Sequence, residues 1–114
     1  MAYDTITPVK LVKDTVTAVT PTAITHGNTI KIPVSGKDVI IVFINNTTAA
    51  TKKVTWTAGD FGARSVLSDL ETSFEQDTHK CIVLETSRFL NDDGYIYGEY
   101  EASMTGFIWA VYPE

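Results

Sequence analysis

The 114-residue chain carries 9 Lys and Arg against 14 Asp and Glu, a net charge of -5 that repels a phosphate backbone and speaks against nucleic acid as a partner. With 44% apolar and 20% charged residues it has the balance of a globular protein rather than a disordered one, and a single domain over residues 1–114 is expected at this length. The lone cysteine, Cys81, excludes an internal disulfide, and residues 1–5 have neither a basic stretch nor an apolar run, so classical secretion is not expected.

Residues 3–13 read as an extended arm, either an edge strand or a segment lying on a neighbour, because Pro8 fixes its own φ and lacks a donor and helical periodicity is absent. Residues 16–19 suit a short strand ended by Pro21, and residues 22–28 a loop that turns at His26-Gly27-Asn28. Residues 29–34 alternate: Ile30, Ile32 and Val34 lie on one face, Lys31, Pro33 and Ser35 on the other. That is a half-buried strand, and Pro33 places it at an edge or a bulge. Val39-Ile40-Ile41-Val42-Phe43-Ile44 is the long uninterrupted apolar run, bounded by turn-forming residues on both sides. It reads as a strand buried on both faces and is far short of the roughly 20 residues that cross a bilayer.

Residues 53–58 alternate again, with Val54, Trp56 and Ala58 against Thr55 and Thr57, and a turn at Ala58-Gly59-Asp60 closes them. Over residues 61–68 a loop is preferred to a helical turn through Val66, Leu67 and Leu70, leading into a strand at 70–74. After a polar turn at 75–78, residues 80–85 form a strand with an apolar centre, and Asn91-Asp92-Asp93-Gly94 is a strong turn signal. Residues 95–101 and 104–112 suit a terminal hairpin. Short strands about 8 to 12 residues apart, with no amphipathic helix, predict an all-β protein: an antiparallel β-sandwich, jelly-roll or immunoglobulin-like, with an extended N-terminal arm.

The residues announce no chemistry. His26 and His79 are far apart in loops with no spacing that sets two nitrogens on one metal, and Cys81 in an apolar strand reads as a packed small hydrophobe. Ser35-Gly36-Lys37-Asp38 lacks the glycine and hydroxyl of a phosphate loop, and the turn at residues 91–94 lacks the full calcium-loop pattern. A carboxylate pair such as Asp60 and Glu85 would serve glycoside hydrolysis only at a set separation, which spacing does not give. No catalytic residue, cofactor or metal is therefore expected, and the protein is not read as an enzyme. The aromatic residues are more informative: Trp56, Tyr95, Tyr97 and Tyr100 are candidates for an exposed face that stacks on sugars or on a protein, against the alternative that alternation buries about half of the chain's rings.

Three ordered segments, Val54-Thr-Trp-Thr-Ala-Gly-Asp60, Arg88-Phe-Leu-Asn-Asp-Asp-Gly-Tyr-Ile96 and Met104-Thr-Gly-Phe-Ile-Trp-Ala-Val111, together with Asp4-Thr5-Ile6-Thr7-Pro8 and Leu11-Val12, resemble small proteins that tailed bacteriophages and prophages encode beside the major capsid protein. The likeness spans most of the chain; the loop Phe61-Gly62-Ala63-Arg64 departs from the proline-containing version. The resemblance implies a β-sandwich head protein that decorates and reinforces the outside of a capsid, assembled in the bacterial cytoplasm and carried on the virion. Its partner would be the major capsid protein, with a homo-oligomer, a trimer by analogy, and no membrane or nucleic acid. Tyr3, Asp4, Thr5, Ile6, Pro8 and Leu11 are then the expected capsid or intersubunit contacts, the arm adding a strand to a neighbour's sheet edge. The runner-up is a carbohydrate-binding or host-adsorption sandwich that uses Trp56 or the tyrosines as its platform.

Overall fold

The computed structural model describes residues 2–59 and 68–113. Among these described residues, ten strands and one helical turn follow in order: β1 (Tyr3–Thr5), β2 (Val9–Lys10), β3 (Thr22–Ala23), β4 (Thr29–Pro33), β5 (Val39–Asn46), β6 (Lys52–Trp56), β7 (Leu70–Phe74), β8 (Thr78–Glu85), α1 (Thr86–Phe89), β9 (Tyr95–Tyr100) and β10 (Gly106–Tyr112). One sheet has the order β1-β4-β9-β6-β7; the other runs β2-β10-β5-β8, with β3 also on β10. The protein is nearly all-β and sandwich-like. Ile30, Ile32, Val54, Trp56 and Ile96 from the first sheet share one core with Ile40, Val42, Ile44, Leu84 and Ile108 from the second. No described helix is long and apolar enough to cross a membrane.

Period two explains most of this burial. In β5, Ile40, Val42 and Ile44 are fully buried, each adding about 1.5–3 kcal/mol of transfer free energy. The intervening Val39, Ile41 and Phe43 are half-exposed, so the run is not buried on both faces as its composition suggests. The reason is that a two-layer sandwich covers only one side of each sheet. β5 does take an interior place, between β10 and β8.

The arm makes both sheets mixed rather than antiparallel. β1 runs parallel to β4, with Asp4 beside Ile30, and β2 runs parallel to the end of β10, with Val9 beside Val111. Ile6 lies between the two strands, buried, and donates its N–H to Lys31 O at 2.9 Å. The arm thus passes from the edge of one sheet to the edge of the other. β4 is an interior strand, yet Pro33 lies beyond the end of β1, which stops at the level of Lys31, so Pro33 has a partner only in β9 and sits at a local edge where its missing N–H costs no ladder bond.

Other expectations are corrected. Residues 16–19 form no strand, whereas Thr22 and Ala23, expected in a loop, pair with Ile108 and Phe107 of β10. The terminal segments are not a hairpin, because β9 belongs to the first sheet and β10 to the second. Alternation is the same in either arrangement, so only the inter-strand partners distinguish them. α1 was not expected; its Thr86 Oγ1 donates to Lys37 O at 2.6 Å and Asp38 O at 2.9 Å, tying the turn to the entry of β5. The loop expected at 61–68 falls almost wholly outside the described residues, as do Asp60, Phe61, Gly62, Ala63 and Arg64.

Candidate interaction surfaces

The outer face of the first sheet carries an aromatic cluster built around a lysine. Alternation in β9 turns Tyr95 and Tyr97 outward, the register places Lys31 of β4 directly beside Tyr97, and parallel pairing brings Tyr3 of β1 alongside. The Tyr3 and Tyr97 ring centroids are 6.1 Å apart and those of Tyr95 and Tyr97 6.3 Å. Lys31 Nζ stands 4.9 Å from the Tyr3 centroid and 4.3 Å from that of Tyr95, contacts worth about 0.5–1 kcal/mol each at exposed sites. Tyr97 donates its hydroxyl to Asp93 Oδ2 at 2.5 Å. That bond, then burial and the carboxylate's charge, push the phenol up to about 12. Asp93 Oδ1 in turn accepts the Tyr95 N–H at 3.1 Å, so the acidic turn holds the rings in place.

Of the four aromatic candidates, only Tyr95 and Tyr97 lie on this face. Trp56 is 0% exposed, with its indole N–H donating to Thr72 Oγ1 at 3.3 Å, because its parity in β6 points it into the core. Tyr100 points inward as well, half-buried at the sandwich end. Tyr3 joins the cluster instead, which no local pattern indicates: the parallel pairing of a three-residue strand places it there.

The arm candidates divide by parity. Asp4, Ile6 and Pro8 are buried against their own chain, while Tyr3 and Thr5 face solvent and Leu11 is half-buried. Asp4 accepts hydrogen bonds from Thr25 N at 3.1 Å, Asn28 Nδ2 at 3.0 Å and the Tyr100 hydroxyl at 3.0 Å, and these three donors offset its desolvation. Burial first, then the charge of Asp4 and this hydrogen bond, push the Tyr100 phenol well above its ordinary value. Asp4, Ile6 and Pro8 therefore fasten the arm to its own chain.

The second sheet presents an apolar outer face. Phe43 of β5 and Trp109 of β10 stack with centroids 5.4 Å apart and planes 4° from parallel. Beyond them, β8 leaves one long edge with no described strand beside it, and His79, Lys80, Cys81, Val83 and Glu85 are all exposed. Cys81, expected to be packed, is exposed because its parity sets it on the outer face. His79 belongs to this strand rather than to a loop. The second unpaired feature is the stretch from 12 to 20, where Val12, Val16 and Val19 are exposed, Val16 completely.

Surface concavities are open and shallow; one of about 360 Å³ lies between the arm, residues 18–20 and Trp109, and another of about 380 Å³ between Lys37 and Tyr112. Among the described residues no three His, Cys, Asp or Glu side chains are grouped to hold a metal. Compared with protein-family models, with curated proteins and with solved structures, the chain matches none.

Proposed function

We propose that this protein is a structural virion component, a decoration subunit that binds the outer surface of a tailed-phage capsid and reinforces it, with the major capsid protein as partner and the virion surface as its location. The observation that carries the reading is the Tyr3–Lys31–Tyr95–Tyr97 cluster. Its rings are solvent-facing yet held by the lysine and by Asp93, so they offer large contact area with little side-chain entropy left to lose, the character of anchors at protein interfaces. The ordered segments that resemble capsid-associated proteins point the same way.

Strand order supports a jelly roll as the finer fold class. With the arm strands set aside, the sheets read β4-β9-β6-β7 and β3-β10-β5-β8, all neighbours are antiparallel, and the chain changes sheet at every connection except β6 to β7. That order is the one expected of two interlocked Greek keys, common to capsid and lectin domains, and it carries fold-level warrant alone.

Co-sedimentation with purified tailed-phage capsids that lack the protein is the test. The native chain is expected to pellet with capsids, and Tyr97→Ala and Lys31→Ala to lose at least tenfold in apparent affinity, an anchor-sized loss. A native chain that stays in the supernatant overturns the reading. The same rings on a sheet face support the second reading, a carbohydrate platform. Glycan-array binding abolished by Tyr97→Ala, without capsid binding, would establish that one instead.

A further inference from the structure

Two features of the second sheet lack partners, and they sit at its opposite edges. At one edge, Leu11 N–H bonds Tyr112 O at 2.9 Å and Thr22 pairs with Ile108, so both ends of the intervening stretch are tied to β10. The tie points are four residues apart on β10, about 14 Å, whereas the eleven residue steps from 11 to 22 reach about 36 Å when extended. The excess length has to stand away from the body. It does so most at Val16, which is 100% exposed; residues 18–20 border a shallow concavity with the arm and Trp109, and no backbone hydrogen bond joins residues 12–21 to the rest of the described chain. Yet Thr15-Val16-Thr17-Ala18-Val19-Thr20 is dominated by β-branched residues, which favour strands. At the other edge, β8 exposes eight residues of strand backbone, with Val83 58% exposed and Cys81 beside it on the outer face. Its edge has no proline, bulge or described cover, and of the usual protections against pairing it carries only charges towards its two ends, Lys80 and Glu85.

We propose that these two features bind each other between copies: residues 15–20 of one chain add as a strand to the open edge of β8 in the next. Within one chain they lie on opposite sides of β10 and β5, so the contact is head-to-tail. Side-chain chemistry matches in a parallel register that sets Val16 beside Cys81. Ala18 then meets Val83 on the outer face, Thr17 meets Ile82 and Val19 meets Leu84 on the inner, while Thr15 and Thr20 stand by Lys80 and Glu85 with no like charges opposed. Pro21 has no N–H and ends the ladder. A heterologous contact of this kind closes into a ring when its rotation divides a full turn, and one-third of a turn gives a trimer. The proposal is independent of capsid binding, since it concerns the free protein and uses neither Tyr97 nor Lys31.

Light scattering coupled to size exclusion, at about 100 µM so that micromolar interfaces are populated, is the experiment. The native chain is expected as an assembly larger than a dimer. Val16→Lys and Val83→Lys, both at exposed positions, are each expected to be monomeric and still to melt cooperatively, with the native chain's melting temperature once it too is diluted to a monomer. Mixed one to one, they should form a heterodimer, because one variant keeps the acceptor edge and the other the donor segment. Val16→Cys under mild oxidation should link to Cys81 of the next chain. A monomeric native protein overturns the proposal. So does an assembly that Val83→Lys dissolves and Val16→Lys leaves intact, since that pattern places β8 against β8 across a two-fold axis.

Discussion

Trp56 and Gly98 lie directly opposite each other across β6 and β9, and a β-carbon on Gly98 would stand 2.8 Å from Trp56 Cε3. The largest side chain in the core is accommodated because its cross-strand neighbour has none. Gly98→Ala is expected to push the indole or the strand aside and to cost about 1–3 kcal/mol, the range of overpacked cores. Urea denaturation measures it, through a lower midpoint at unchanged slope.

Asn46 closes β5 and joins the two sheets. Its Nδ2 donates to Ala50 O at 3.0 Å and to Phe74 O, at the end of β7, at 2.7 Å, while its Oδ1 accepts the Thr48 N–H at 3.0 Å. Asn46→Asp keeps the shape but sets a buried carboxylate against two carbonyl oxygens, and is expected to destabilise by about 3–5 kcal/mol at neutral pH. Asn46→Ala should cost less, about 1–3 kcal/mol for the stranded polar groups. Melting temperatures at pH 7 and pH 4 separate the two, since only the Asp variant should recover in acid.

Parity along the second sheet gives a paired test. Val42 is fully buried, whereas Val83 is 58% exposed. Val42→Asp places an unpaired charge in the core, at a cost of several kcal/mol against a total stability of about 5–15 kcal/mol, and should abolish the cooperative melt. At a protein concentration low enough to keep the chain monomeric, Val83→Asp should melt within about 0.5 kcal/mol of the native chain, as surface substitutions do. Circular dichroism melts of both would decide it; a Val42→Asp variant that still melts cooperatively would contradict the central place of β5.

Stability should fall in alkali through two phenols. Both Tyr97 and Tyr100 are raised above the ordinary value of 10.0. An acid whose folded pKa is raised contributes its stability in full below the unfolded pKa and loses it as pH rises towards the folded one. The loss should therefore begin near pH 10, and the Tyr97 share should be complete by about pH 12. In Tyr97→Phe and Tyr100→Phe the melting temperature should decline less steeply over that range. An equal decline in both variants would locate the alkaline sensitivity elsewhere.

The strands themselves were legible from residue order. Ile30, Ile32 and Val34, and Val54 and Trp56, lie in strands or at their ends with the inward parity that alternation implies, and the apolar run at 39–44 is a strand of which only Ile40, Val42 and Ile44 turn inward. This succeeds because parity is local: a residue and its second neighbour share a face whatever the strand pairs with. The same parity would have placed Trp56 inside and Cys81 outside, had the alternation of each strand been weighed above residue type. The Tyr95 and Tyr97 half of the aromatic cluster was readable in that way, but the Tyr3 and Lys31 half was not, because it depends on which strand lies beside which.

Amino-acid order alone determined the β-class, the turn at residues 91–94, the existence of β5, the inward set of β4 and β6 and the lack of an internal disulfide. Tertiary structure decided that β9 and β10 part into different sheets, that the arm docks in parallel across both, and that, among the described residues, residues 15–20 are left unpaired and no strand lies beside the outer edge of β8. Alternation specifies a face and not a partner. Partners are settled only when both sheets close over one core, and the segments that closure leaves uncovered are those available to another molecule.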